Sequence, residues 1–267
     1  MRHMIILLAL ACVPASSYAQ GSALRTYGAK TLGESRLEIG VGAAYRTRGE
    51  APFAGAPLSL WQVPTVTARW GAAGNVDIEF NWSGRLLARY VGGSDGSDWG
   101  DPVIGTVVTV SEEGDALPAL GLRTAVKLPS TSFLPYYLGS DQIDFFATLL
   151  GSRHIGPVEA RINIGLGILG NPRELGSQDD VYIASLAVLV SVGTRMRIFA
   201  EGYGMSGYKA DDDKLLVQSG MTARFDAWQF SVFGGIRAAG TNGDFGAAFS
   251  ASEEWSAGFS CSKEFAL

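Results

Sequence analysis

The chain of 267 residues carries 21 Lys+Arg against 26 Asp+Glu, a formal charge of −5, and this balance argues against a nucleic-acid partner. Hydrophobic residues make up 47% of it, glycine is abundant and mean hydropathy is positive. Yet beyond the first residues no stretch approaches the ~18 consecutive apolar residues of a membrane helix, which excludes a helical membrane protein.

Residues 1–19 read as a secretory signal peptide. Met1-Arg2-His3-Met4 gives a basic start, Ile5 to Val13 an apolar stretch too short to span a membrane, and Ser17-Tyr18-Ala19 a cleavage site before Gln20. A lipoprotein signal with an acylated Cys12 is the weaker alternative. Cleavage removes Cys12 with the leader, so the remaining Cys261 has no disulfide partner. It also removes Arg2 and leaves a charge of about −6. Residues 20–35 form an N-terminal segment, either a short lumen plug or a periplasmic extension, and residues 36–267 form one domain.

From residue 37 the pattern is period-two alternation, repeated in segment after segment. Residues 37–46 set Leu37, Ile39, Val41, Ala43 and Tyr45 against Glu38 and Arg46. A strand is expected around 60–70, with Pro64 marking a bulge or break. Over 76–90 the alternation runs for about fifteen residues, longer than the five or six of an ordinary strand. It places Val76, Ile78, Phe80, Trp82, Leu86, Ala88 and Tyr90 on one face and Asp77, Glu79, Asn81, Ser83, Arg85 and Arg89 on the other. A tilted strand crosses a bilayer in roughly 9–11 residues. Further strands are expected at 103–110, 120–128, 143–153, 158–168, 181–191, 195–204, 214–225, 228–238 and 254–265.

The connections alternate in length. Short ones hold residues 72–74, 112–117, 154–157, 192–194 and 226–227; long ones hold about 47–58, 91–101, 129–141, 169–179, 208–213 and 240–253. Short periplasmic turns, long extracellular loops and an even strand count are the organisation of outer-membrane barrels. The fold expected is therefore all-β: a transmembrane antiparallel β-barrel of about 12 strands in the outer membrane of a Gram-negative bacterium. Aromatic residues group where its membrane interfaces would lie, with Trp70, Phe225, Trp228 and Phe265 at the periplasmic rim and Tyr45, Tyr90 and Tyr208 at the outer rim. The terminal run from Trp255 to Leu267 is similar to the assembly signal of such barrels, although it ends on Leu267 and not on an aromatic residue.

Residues 99–168 resemble a family of outer-membrane barrels named after the MetA pathway of phenol degradation. The matching pieces are Trp99-Gly100-Asp101, Gly121 through Lys127-Leu128-Pro129-Ser130, Leu138-Gly139-Ser140-Asp141-Gln142-Ile143-Asp144, and Asn163 with Gly165. The family usually has Thr where this chain has Ser130. The resemblance implies a β-barrel and transport of small, aromatic compounds among others.

Catalytic constellations are missing from the pattern. His3 leaves with the leader, and His154 reads as a solvated residue in a short turn, at the wrong end for a hydrolase facing the outer leaflet. Asp95, Asp98, Asp101, Asp179, Asp180, Asp211, Asp212 and Asp213 read as solvated loop charge without calcium-loop spacing. Gly165-x-Gly167 lies on a strand with no helix after it, so it is not a nucleotide fingerprint. No cofactor, no metal and no enzymatic activity is expected.

The chemistry instead concentrates on the inward faces. Arg46, Arg85, Arg89, Arg123, Lys127, Arg161, Arg195, Arg197, Arg224 and Arg237 outnumber Glu38, Asp77, Glu79, Asp144, Glu159 and Glu201 there. These charges either line a water-filled path and bias it toward anions or pair into a network that fills the barrel. The function expected is passive passage of small solutes, with anionic or aromatic ones as candidates. The alternative is a closed structural or adhesive barrel that binds a surface partner through its acidic loops. Outer-membrane lipid, a small-molecule solute, and periplasmic chaperones with the barrel-assembly machinery are the expected partners.

Overall fold

The structure, a computed structural model, describes residues 24–48, 58–90, 92, 95–136, 138–171, 176–207, 213–240 and 254–267. The expected leader, Tyr208, Asp211 and Asp212 lie outside them.

Among the described residues fourteen strands form one antiparallel sheet: β1 (Arg36–Arg48), β2 (Leu58–Ala73), β3 (Val76–Trp82), β4 (Arg85–Tyr90), β5 (Gly96–Trp99), β6 (Pro102–Ser111), β7 (Ala119–Lys127), β8 (Asp144–Ile155), β9 (Val158–Gly170), β10 (Gln178–Val192), β11 (Met196–Gly207), β12 (Lys214–Phe225), β13 (Trp228–Gly240) and β14 (Trp255–Ala266). β3 and β4 both pair with β2, Val66 opposite Trp82 and Val63 opposite Arg85, so they are one stave interrupted at Ser83-Gly84. β5 and β6 are likewise one stave broken at Gly100-Asp101. Twelve staves remain, and β1 pairs with both β2 and β14 to close the ring. Closure leaves no free sheet edge, the condition for a sheet in lipid. The expected loop over 91–101 is shorter than the sequence suggests, because Gly96–Trp99 continues the wall.

β9 shows why these segments become staves. Ile162, Ile164 and Leu166 are 50%, 59% and 51% exposed, while the intervening Arg161 and Asn163 are buried. An apolar exterior around a polar interior is the inverse of a soluble protein, and it identifies the exterior as the lipid face. Replacing Ile164, which is paired with Leu149 and Ala184 mid-wall, by Arg should destabilise the barrel by ~2–4 kcal/mol. Urea titration of protein folded into vesicles measures this; a cost near zero would mean that the face is not in lipid.

The rims carry the aromatic residues. On the outer side Tyr45 packs against Trp61 and Trp255, with ring centroids 4.9 and 5.1 Å away. At the end with the short turns, Trp70, Phe225, Trp228 and Phe265 are 38–51% exposed, and Lys263 Nζ lies 5.0 Å from the Trp228 ring.

One line across the wall breaks the alternation. In β3, Asp77 and Glu79 are buried and Ile78 is exposed; beyond Gly84, Leu86 and Ala88 are buried and Leu87 is exposed. β2 reverses at Pro64, with Arg69 inward below it and Leu60 inward above, and the β5/β6 stave reverses at Gly100. These three positions are neighbours. Pro64 has no N–H to give the ladder. Gly84 has φ +54°, and a Cβ there would fall on the Pro64 carbonyl. Gly100 N–H donates to Gly84 O at 2.6 Å. The continuous fifteen-residue alternation expected over 76–90 is therefore corrected: above the line Arg85 and Arg89 point outward, and Tyr90 points inward.

Candidate functional site in the barrel lumen

Among the described residues, two segments enter the barrel. The first is a strap, residues 24–32, which lies inside the wall and has no sheet partner. Its backbone N–H groups are taken up by wall side chains: Leu32 by Asp77 (2.9 Å), Thr31 by Thr109 Oγ1 (3.2 Å), Ala29 by Ser152 Oγ (3.3 Å), Tyr27 by Asn163 Oδ1 (2.7 Å), and Thr26 and Arg25 by Glu201 (2.8 and 2.9 Å). Asn163 Nδ2 and Arg69 Nη2 donate in return to the Tyr27 and Lys30 carbonyls. Buried backbone groups require partners, and this strap finds them in polar side chains spread over β3, β6, β8, β9 and β11. Apolar contacts complete its seat: Ala29 packs with Val107 and Leu150, and Leu24 packs on Ala187, Leu189 and Phe199.

The second insert is the loop of residues 128–143. Asp101 Oδ1 accepts the N–H groups of Ser130 and Thr131, both at 2.7 Å, Asp98 accepts that of Ser132 at 2.8 Å, and the Thr131 hydroxyl donates to Trp99 O. Lys127 Nζ donates to Ser140 Oγ (2.6 Å) and pairs with Asp144 (2.7 Å). Leu138 then packs on Leu60, Leu86 and Ala88, and the Tyr90 hydroxyl donates to the Tyr136 carbonyl. The reversal at Gly84 supplies this apolar seat, because it turns Leu86 and Ala88 inward. Two expectations are corrected here: Asp98 and Asp101 are not solvated loop charges but pins of the loop, and Tyr90 holds the loop and does not anchor in the membrane interface. The residues that carry the family resemblance, Trp99 to Asp101 and Lys127 to Asp144, form this knot.

A cavity of about 400 Å³ lies between strap and loop, bordered by Arg25 and Tyr27 below, Thr131 and Leu138 above, and the inner wall. Of the expected lumen positions, Glu38, Arg46, Glu79, Arg123, Lys127 and Asp144 border it. Arg123 Nε is 2.9 Å from Glu79 and its guanidinium lies 4.0 Å over the Tyr27 ring. Arg69, on a strand whose faces the sequence leaves unassigned, is 2.5 Å from Asp77. Away from the cavity Glu159 holds Arg161 (2.7 Å) and Arg197 (3.0 Å), Arg224 pairs with Glu264 (3.4 Å) and Arg237 with Glu254 (3.8 Å). Glu201 is occupied by the strap and by Gln218. Three expected lumen residues are elsewhere. Arg85 stacks on Trp99 on the outer surface (4.9 Å), and Arg89 is exposed there beside Asp95, both because of the face reversal. Arg195 is exposed in the turn before Met196, where the inward pattern has not begun.

His154 is also corrected. β8 runs through it, and its ring is held by Glu113 Oε2 at 2.7 Å with Glu159 Oε2 3.6 Å away, so it is not a free turn residue. Partial burial opposes ionisation of Glu113, but hydrogen bonds from the His154 backbone N–H and ring outweigh it and hold this turn carboxyl below the usual carboxylate range.

No family model matches the chain, and no curated protein does. Among solved structures it is similar to the COG4313 outer membrane channel from Pseudomonas putida F1, at 13% identity over 89% of this chain and 98% of that one, with a TM-score of 0.67. The NanC porin gives 8% identity, 84% and 98% coverage and a TM-score of 0.53. The translocator domain of autotransporter NalP from Neisseria meningitidis gives 11%, 86%, 88% and 0.52. What is shared at these identities is the fold: a closed twelve-stranded barrel of the Gram-negative outer-membrane type.

Proposed function

We propose that this barrel is an outer-membrane channel for passive passage of small solutes, with the strap as its plug and the loop of residues 128–143 as its upper constriction. The observation that carries the reading is the cavity of about 400 Å³ left between the two inserts. Sites that take small molecules are roughly 300–1,000 Å³, and a purely structural barrel has no use for an unfilled one. The resemblance over residues 99–168 supports the same reading, and assembly through periplasmic chaperones and the barrel machinery belongs to it. The closed adhesive alternative loses two of the acids it was built on, since Asp98 and Asp101 are spent on the loop itself. An anion bias is not part of the proposal, because the inward cations Arg69, Arg123, Lys127, Arg161 and Arg197 sit against carboxylates.

Purified protein in planar bilayers should give discrete conductance steps. Proteoliposomes should swell in small sugars and not in tetrasaccharides. Silence in both assays from folded, heat-modifiable protein overturns the proposal.

A further inference from the structure

The β1 side of the cavity differs from the rest. Its inward positions Glu38, Gly40 and Gly42 run beside Thr67 and Thr65 of β2 and Ser262 and Ser260 of β14. The glycines leave the hydroxyls uncovered: a Cβ at Gly42 would meet Thr65 Oγ1 at 2.9 Å and Ser260 Cβ at 3.0 Å. Phe233, whose ring lies over Gly258, adds an apolar wall. Apart from Arg69 at the lower end of β2, which holds the Lys30 carbonyl, the strap's side-chain bonds to the wall lie on other staves, so the result is a hydroxyl-lined trough that the strap does not bridge above Arg69.

Glu38 lies at the lower end of this trough and borders the cavity. It is 4% exposed, and among the described residues no cation pairs with its carboxylate, which has only the neutral Ser262 hydroxyl beside it. A buried carboxylate without a counter-charge is costly, and the nearby cations are committed. Arg69 is held by Asp77 and the Lys30 carbonyl, and Arg36 and Arg224 are held by Glu264. Ser262 is the neighbouring hydroxyl on the paired strand.

We infer that Glu38 anchors a solute carrying an organic ammonium group, whose N–H donors meet the open carboxylate while its apolar body lies along the trough against Phe233. This inference rests on the channel reading and names the solute class for the same cavity. It reverses the sign that the inward charges suggest in sequence, because Arg69, Arg123, Lys127, Arg161 and Arg197 already sit against carboxylates and Glu38 has no cation of its own.

Block of single-channel current by three probes of one size tests it: benzylammonium, benzyl alcohol and benzoate. Benzylammonium should block at a concentration at least about tenfold lower than the other two, a difference of about 1.4 kcal/mol. In Glu38→Gln that advantage should vanish while block by benzyl alcohol stays unchanged. Equal block by all three in the unmodified protein, or an advantage that survives Glu38→Gln, overturns the inference. Should Glu38→Gln not fold, Glu38→Asp keeps the charge with a shorter reach and should weaken benzylammonium alone; unchanged block overturns the inference as well. If the protein folds but carries no current, the channel reading fails by itself. Calorimetric titration of the detergent-solubilised barrel with the same probes then reads the site independently: preference for benzylammonium supports it, and no preference ends it.

Discussion

Deleting residues 24–32, so that the upstream residues join Gly33, is expected to raise single-channel conductance several-fold while the barrel stays folded. The strap crosses the interior from the β2 side to β11, and everything that passes must go around it. Its removal leaves Asp77, Thr109, Ser152, Asn163 and Glu201 facing water, which can satisfy them as the strap amides do. The wall ladders do not pass through the strap, so stability should change far less than current. Planar-bilayer recording beside far-ultraviolet circular dichroism and heat-modifiability separates the two effects. Unchanged conductance from a folded deletion protein would show that the strap is not the constriction. Glu201→Ala, which removes the acceptor of both the Arg25 and the Thr26 amides, should give an intermediate phenotype: full folding with frequent brief openings to the deletion level.

The largest expected effect on stability comes from Glu159→Leu. Its carboxylate holds Arg161 at 2.7 Å and Arg197 at 3.0 Å, with His154 at 3.6 Å, and the two guanidiniums are no more than 10% exposed. Removing the acid takes away the carboxylate that these two buried cations share on the inner wall. Breaking a buried pair this way costs ~3–5 kcal/mol. Glu254→Ala at the rim is the control: its partner Arg237 is 3.8 Å away and Glu254 is half exposed, so the loss should be ~0–1 kcal/mol. Urea unfolding in vesicles reads both. A Glu159→Leu cost no larger than the control would mean that the inner charges are hydrated individually and do not form a network. Arg161→Leu added to Glu159→Leu should recover part of the loss, since it removes one of the two cations that shared the acid.

Where the alternation was uninterrupted, the wall could be read from the chain. β9 shows its apolar exterior in Ile162, Ile164 and Leu166 and its polar interior in Glu159, Arg161 and Asn163, and the structure places them so. The reading of residues 76–90 inverted above Gly84, on the line that also runs through Pro64 and Gly100, because one residue outside the period exchanges the two faces of everything that follows. Pro64 was a visible sign; Gly84 carried none, since its effect depends on lying against the Pro64 carbonyl of another strand. The strap was legible only as two options. Its binding depends on wall residues such as Thr109, Ser152 and Asn163, far away in sequence and unremarkable one by one. A short uncharged polar residue at an inward position of an otherwise apolar-and-charged strand was the available signal, because such a group needs a buried partner. The loop knot was present in the sequence as a resemblance without a mechanism. Asp101 and Lys127 proved to be fasteners, not charge presented to solvent.

The strap has a further consequence for how the barrel is completed. The Arg25 and Thr26 amides are bonded to Glu201, 176 and 175 positions downstream, so the first described residues can settle only after the eleventh strand is in place. Closing so long a loop is slow, and it comes after the local pairing of neighbouring hairpins. Assembly therefore runs from the wall inward, and the strap is a late arrival. Its seat also depends on register. A slip of one residue in β9 or β11 would turn Asn163 or Glu201 to the lipid side and leave the strap amides with nothing to bind. A segment that docks only against correctly aligned staves proofreads the wall it plugs.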